Sequence, residues 1–302
     1  MWDALDPRDT DSRERDLFDA RRTEPVHPRD VFAQDLDLPH GPDRERVYVH
    51  DQEYDLRGSE VRTLATIGTF RVVPVRDLDD DRGRTRDLWH GDLDRLRSAG
   101  LITVAGRSGD ERGTPILTLT DRGRELLETH RAADRSPTHA FAAGALKSRE
   151  LAHDAQCYRA YRRSAERLTA QGARIHRVIV EQELKREYQR FLQARNCDRA
   201  DSDGRPDRTP LEIEDWAREH QLPTDDGSVQ FPDVRIEYER PDGRRDVEDI
   251  EVTTPHYRGA HAAGKAAAGF TRYRARGGRL GGSSGRGRGR SSDITLAEEV
   301  LD

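Results

Sequence analysis

The chain has 302 residues, of which 52 are Lys or Arg and 58 are Asp or Glu, so charged residues reach 36% against roughly 25% in an average globular protein. Counted with Gly and without Tyr, apolar residues make up about 39%, below the roughly 45–50% of a typical domain, so the length suits about two domains with roughly 70–80 residues as solvated tails or linkers. No run of 18 apolar residues occurs, which excludes a membrane-spanning helix, and Met1-Trp2-Asp3-Ala4-Leu5-Asp6 has neither the basic nor the apolar region of an export signal, so a cytoplasmic protein without membrane contact is expected.

Residues 1–56 are rich in Asp, Arg and Pro, with apolar residues too scattered for a sustained helix. The segment is expected to be mostly disordered, with Asp30-Val31-Phe32-Ala33 and Val47-Tyr48-Val49 as pieces that dock locally. From Arg57 the pattern tightens. Ser59 is placed to cap a helix whose apolar positions Val61, Leu64, Ala65, Ile67 and Phe70 recur at helical spacing. Pro74 to Leu78 suits a second, brief helix. A charged turn from Asp79 to Thr85 leads to a third helix that holds Leu88, Leu93 and Leu96 and stops at Gly100. Strand 101–105, a polar hairpin over 106–114 and strand 115–120 follow, and another helix starts at Asp121 with Leu126 and Leu127 inward.

Residues 131–146 read as a linker to a second unit over 147–276. Its first helix, 147–171, buries Leu151, Ala155, Tyr158, Ala165 and Leu168 and turns Arg159, Arg163 and Arg167 outward. Strand 175–180 comes next, then a helical insertion over 181–221 with Leu184, Tyr188, Phe191 and Leu192 as its apolar stripe. Two strands, 229–239 and 246–254, flank the turn Pro241-Asp242-Gly243, a strong hairpin signal. A last helix is expected over 257–274. Residues 277–302 form a Gly/Arg-rich tail, expected to be flexible, with a short terminal helix. Cys157 and Cys197 are too few for a disulfide framework and read as buried or idle thiols.

Helix, helix, helix, two-stranded ribbon, helix is the order of a winged helix. The string Asp92-Leu93-Asp94-Arg95-Leu96-Arg97-Ser98-Ala99-Gly100-Leu101-Ile102, followed by Leu119-Thr120-Asp121-Arg122-Gly123-Arg124-Glu125-Leu126-Leu127, resembles that family. The resemblance implies contact with double-stranded DNA: Arg84, Arg86, Trp89, His90 and Arg97 toward base edges, and Arg107 and Arg112 of the wing toward phosphates. Charge argues the other way, because residues 57–130 carry thirteen Arg and thirteen acids, and phosphate neutralisation dominates affinity for DNA. Winged helices also serve as protein-docking or homodimer-forming modules, and that alternative stays open.

The strand pair carries the sharper chemistry. Pro232-Asp233 opens one strand, and on the next Asp249, Glu251 and Thr253 share a face opposite Ile250 and Val252. Acids on neighbouring strands suit a hard divalent cation such as Mg²⁺, which activates water and stabilises charge on a phosphodiester. This resembles the PD-(D/E)xK nuclease superfamily, and the resemblance implies Asp233 and Glu251 as metal-binding acids. Thr253 stands where that family has lysine; Lys265 on the following helix is the candidate substitute, and Glu183 or Glu187 a further acid. His153 reads as a capping or core histidine.

The order of units, with Glu150-Leu151-Ala152-His153-Asp154 opening the helix before the sheet, resembles the replication–relaxation family of conjugative plasmids and mobile elements. The expected class is therefore α+β, a winged helix-turn-helix followed by a nuclease-like α/β domain between disordered N- and C-terminal tails. The net charge of −6 divides unevenly: no acid occurs between Val252 and Ser292, where nine Lys or Arg lie, Arg286, Arg288 and Arg290 among them. Such a stretch grips phosphates without reading sequence. These resemblances imply three functions. The first is a DNA-binding accessory protein of mobile-element replication, relaxation or transfer, needing no cofactor. The second is a Mg²⁺-dependent DNA endonuclease using Asp233, Glu251 and Lys265. The third is an adaptor whose winged helix docks a relaxase or replication initiator.

Overall fold

The computed structural model describes residues 27–78, 89–108, 113–132, 140–144, 148–194, 208–253 and 268–274. Helix α1, Gly58–Phe70, forms the centre of the first half. It starts one residue before the expected Ser59 cap, because the Glu60 carboxylate accepts from the Arg57 N–H at 3.1 Å and closes the first turn. The Ser59 hydroxyl instead donates to Asp92 Oδ2 at 2.6 Å. Val61, Leu64, Ala65, Ile67 and Phe70 are all buried, and so are the threonines between them. Thr63, Thr66 and Thr69 satisfy their hydroxyls by donating to the carbonyls of Ser59, Arg62 and Ala65.

After α1 come β3 (Val73–Pro74), a 3-10 turn over Val75–Asp77, α2 (Gly91–Ser98), β4 (Ile102–Arg107), β5 (Pro115–Leu119) and α3 (Asp121–Thr129). The three strands pair in the order β3-β5-β4, all antiparallel. Gly100, at φ +70°, lets the chain leave α2 in the left-handed region, with the Leu101 N–H donating to the Leu96 carbonyl at 3.0 Å. Gly123 marks the closest approach of α3 to this corner: a Cβ there would lie 2.1 Å from the Leu101 carbonyl oxygen.

The N-terminal segment departs from expectation. Residues 27–56 are not disordered: a 3-10 turn over Asp30–Phe32 and an antiparallel hairpin of β1 (Glu45–Val49) and β2 (Gln52–Leu56) pack onto the first half. Val47, Val49, Tyr54 and Leu56 are buried while their neighbours are exposed. Two apolar residues per strand at a spacing of two suffice for a half-buried hairpin, although they are too sparse to signal a helix. The linker also packs in part, since Phe141 is buried and the Ala142 N–H donates to the Gly68 carbonyl at 2.8 Å.

In the second half, α4 (Ser148–Ala170) covers one face of a four-stranded sheet of β6 (Arg174–Val180), β9 (Val234–Glu239), β10 (Arg245–Thr253) and β11 (Thr271–Arg274). The order is β11-β10-β9-β6, with β6–β9 and β9–β10 antiparallel and β10–β11 parallel. Helices α5 (Glu181–Gln193) and α6 (Pro210–Glu219) and the small hairpin of β7 (Thr224–Asp225) and β8 (Ser228–Val229) lie between β6 and β9 in sequence. The helix expected over 257–274 ends differently, because Thr271–Arg274 is a strand paired in register with Ile250–Thr253. Gly269, at φ +75°, turns the chain into it.

A single core joins the two halves. Phe32, Phe70, Tyr158 and Tyr161 form an aromatic cluster, with Phe32–Phe70 at 5.5 Å, Phe32–Tyr161 at 5.2 Å and Phe70–Tyr158 at 5.1 Å between ring centroids. It continues into Val178, Val234, Ile236, Ile250 and Val252 on the sheet face toward α4. Trp216, Leu184, Ile179 and Phe231 make a separate cluster with α5 and α6. The class is α+β. Among the described residues no helix is long and apolar enough to cross a membrane.

Candidate functional site

A group of buried and half-buried charged side chains meets where the end of α1, the first turns of α4 and the start of β9 converge. Helix α4 sends Leu151, Ala155 and Tyr158 into the core, which leaves His153 and Cys157, four residues apart, on an adjoining face. Asp233 follows Pro232 just before β9. Its carbonyl accepts from the Glu181 N–H at 3.1 Å, and its Oδ2 accepts from the Val252 N–H at 2.7 Å. The remaining approach to that oxygen is taken by His153, whose Nε2 lies 3.4 Å away while its Nδ1 lies 3.3 Å from Asp154 Oδ1. Arg71 closes the group, with Nη1 3.2 Å from Asp154 Oδ2 and Nη2 3.8 Å from Glu150 Oε2. Arg71 itself sits at φ +66° in a three-residue turn, with the Val72 N–H donating to the Phe70 carbonyl at 2.7 Å. A cavity of about 60 Å³ remains, lined by Arg71, His153, Asp154, Cys157, Glu181 and Asp233 among others.

Hydrogen bonding to Asp154, then to Asp233 and Cys157, holds the His153 imidazole far above its ordinary pKa despite its burial, so the ring is an imidazolium at neutral pH. Burial pushes the Cys157 thiol up to about 12, so it stays protonated. The junction therefore holds cations from two elements, Arg71 and His153, against the acids Glu150, Asp154 and Asp233.

The expected metal acids fall where the strands place them. Asp233 and Glu251 are both buried at the same end of adjacent strands, where Ile250 pairs with Val234. The donor set does not suit Mg²⁺, which needs near-octahedral oxygen ligation: Asp233 is engaged by a backbone N–H and faces an imidazolium. Among the described residues no group of three or more His, Cys, Asp or Glu is arranged to hold a metal. Thr253, at the lysine position, donates its hydroxyl to the Tyr273 carbonyl at 3.3 Å and so ties β11 to β10. Asp249 is held by Arg235, at 2.7 Å and 2.8 Å. Glu183 turns to Arg177, and burial raises its pKa. Glu187 faces His220 at 3.5 Å, so neither Glu183 nor Glu187 joins Asp233; Glu181 and Gln182 line that cavity instead. Lys265 lies outside the described residues. Sequence reasoning passed over Arg71 entirely, since nothing in an apolar helix end signals a positive-φ arginine.

The second surface is built on α2 and the ribbon. Helix α2 begins at Gly91, so Trp89 and His90 precede it. Trp89 is 63% exposed, and the Arg97 guanidinium lies 4.7 Å from its ring centroid. Arg97 also donates to Asp94 at 2.7 Å. Asp92 is buried and takes hydrogen bonds from Ser59 and Arg57, so both acids in the first turn of α2 are matched. On the ribbon, Val104 and Arg107 are exposed, and Arg107 donates to the Gly113 carbonyl at 2.9 Å. Arg84, Arg86, Arg112, Arg286, Arg288 and Arg290 lie outside the described residues. No family model matches the chain, and no curated protein or solved structure matches it.

Proposed function

We propose that the chain is a DNA-binding accessory protein of mobile-element replication, relaxation or transfer, which engages duplex DNA through a winged helix spanning residues 57–130. The observation that carries this reading is the stack of Arg97, in the last turn of α2, on Trp89, which precedes that helix and is 63% exposed. The neutral charge of the segment counts for less than its sum suggests. Asp92 and Asp94 are matched internally by Arg57, Ser59 and Arg97, which lowers their repulsion of phosphate.

In this reading the sheet half supports the DNA-binding half and lacks turnover. A metal-dependent endonuclease is the weaker account, because Asp233 serves the Val252 N–H and His153, and Thr253 serves β11. The test is a duplex-binding titration with the double variant Trp89→Ala, Arg97→Ala on cognate and scrambled sites. Base-edge contacts are worth about 1–3 kcal/mol each, so selectivity should fall roughly tenfold or more. Equal discrimination by variant and parent would remove the reading.

One observation favours a different partner. Trp89 and Val104, 63% and 42% exposed, are two large apolar side chains on the same unit, which suits docking on a relaxase or replication initiator. That reading requires retention of such a protein by the chain in the absence of DNA, lost in the same double variant.

A further inference from the structure

Many arginines among the described residues are held in ion pairs. Arg44 holds Glu60, Arg57 holds Asp92, Arg71 holds Asp154, Arg159 holds Asp77, Arg167 holds Glu248, and Arg235 holds Asp249. Others, such as Arg122, Arg174, Arg190 and Arg245, are exposed without an ion pair among the described residues, and two arginines of this kind lie close together on the outer strand of the sheet. Arg272 and Arg274 on β11 are exposed, and neither has an ion-pair partner among the described residues.

Register fixes where they point. Arg272 pairs with Glu251 and Arg274 with Thr253, while Tyr273 pairs with Val252. Paired residues share a face and successive ones alternate, so the two arginines lie on the face of Glu251, and Tyr273 on the face toward α4. There the exposed Arg163 of α4 lies 5.2 Å from the Tyr273 ring centroid. The sheet margin thus carries guanidinium groups on both faces. The acids beside it are already taken: Asp249 and Glu248 on β10 are held by Arg235 and Arg167, and Glu251 is only 3% exposed. A basic outer strand does discourage pairing with other sheets, but that role does not call for Arg163 from a different element. The sequence beyond β11 then adds Arg276 and Arg279 with no acid before Asp293.

We infer that Arg163, Arg272 and Arg274 form a second DNA contact, a backbone-binding margin on the sheet that grips the phosphodiesters of duplex DNA without reading its sequence. Charge complementarity selects this occupant. Unpaired guanidinium groups along an outer strand suit a polyanion of regular charge spacing, and each phosphate neutralised releases counterions. The contact is independent of the winged-helix reading and stands even if α2 does not enter a groove.

The experiment is a titration of the full chain with a duplex at several NaCl concentrations, comparing the parent with the double variant Arg272→Ala, Arg274→Ala. The logarithmic salt slope should fall in magnitude by about two, with discrimination between cognate and scrambled duplex unchanged. Arg272→Lys with Arg274→Lys should restore the slope, and far-UV circular dichroism with thermal melting establishes that each variant folds. An unchanged slope in a folded alanine variant overturns the inference while leaving the winged-helix reading intact. Loss of discrimination in the Trp89, Arg97 variant bears on that other reading only. If the parent holds no duplex at any salt, both fail. If the alanine variant loses binding to polyglutamate but keeps its grip on DNA, the margin serves an acidic protein and the inference is overturned.

Discussion

Each half of the molecule buries an acid, Glu60 in the first turn of α1 and Asp233 just ahead of β9, and the two halves satisfy it in different ways. In the first half Glu60, fully buried on α1, is clamped by both terminal nitrogens of Arg44 at 2.9 Å, with Arg95 Nε at 3.8 Å. In the second half Asp233 accepts from the Val252 N–H and faces His153. Guanidinium stays charged at any pH a protein survives, whereas imidazole is the side chain that titrates near neutrality. The buried acid of the first half is thus answered by a guanidinium, and the one at the joint by an imidazolium that loses its proton near neutrality once the chain unfolds. The difference teaches that a guanidinium serves the buried acid within the first half, while the acid at the end of the sheet serves the joint.

The most severe way to break the comparison is to separate the halves. Phe70 ends α1, packs on Tyr158 at 5.1 Å and Tyr161 at 5.4 Å, and is almost wholly buried. Phe70→Ala should cost roughly 3–5 kcal/mol. In urea, Trp89 of the first half and Trp216 of the second should report one coincident transition in the parent, and the same shifted midpoint in the variant. A variant in which Trp89 responds early while Trp216 keeps its parental midpoint would show two independent units and dissolve the shared core.

How much of this was legible follows from the range of each interaction. Helix α1 and the β9–β10 hairpin are visible because their signals are local: apolar residues at helical spacing in one, Pro241-Asp242-Gly243 in the other, with Gly243 at φ +79° and the Arg240 N–H donating to the Arg244 carbonyl. The β1–β2 hairpin is hidden because two apolar residues per strand fall below any pattern threshold. Strand β11 is hidden because Thr271-Arg272-Tyr273-Arg274 trails an alanine-rich run that reads as helix. Glu251 lies on β10 and Asp233 directly ahead of β9, close to where the spacing of the two strands puts them. That His153 from α4 would sit on Asp233 depends on how a helix lies across a sheet, and no local pattern encodes that.

A smaller change sharpens the first half of the comparison. Glu60→Gln removes the charge that Arg44 answers while keeping the shape. Breaking a buried pair costs about 3–5 kcal/mol where the remaining charge has no other recourse. The Arg44 side chain is 25% exposed and lies 3.9 Å from Asp55, so roughly 2–3 kcal/mol is expected. Because the clamp is Arg–Glu, this loss should be the same at pH 6 and pH 8.5 by urea unfolding. A loss that varies with pH across that interval would mean that the clamp is not the fixed contact described.

The smallest effect sits at the joint and differs in kind, being a slope. His153 has its pKa raised in the folded state by Asp154 and Asp233, so above the unfolded value of about 6.5 the folded chain binds more protons than the unfolded one. Stability from this contact is therefore complete below about pH 6.5 and declines as pH rises toward the folded value. The slope can reach at most about 1.4 kcal/mol per pH unit, reduced because the side chain is 32% exposed. His153→Gln should remove that contribution, so the parent's advantage over the variant should shrink steadily between pH 7 and pH 9, read from urea midpoints. Parallel pH profiles for parent and variant would mean that the charge on His153 contributes nothing to holding the joint. The joint would then be as fixed as the clamp on Glu60, and the contrast between the two halves would vanish.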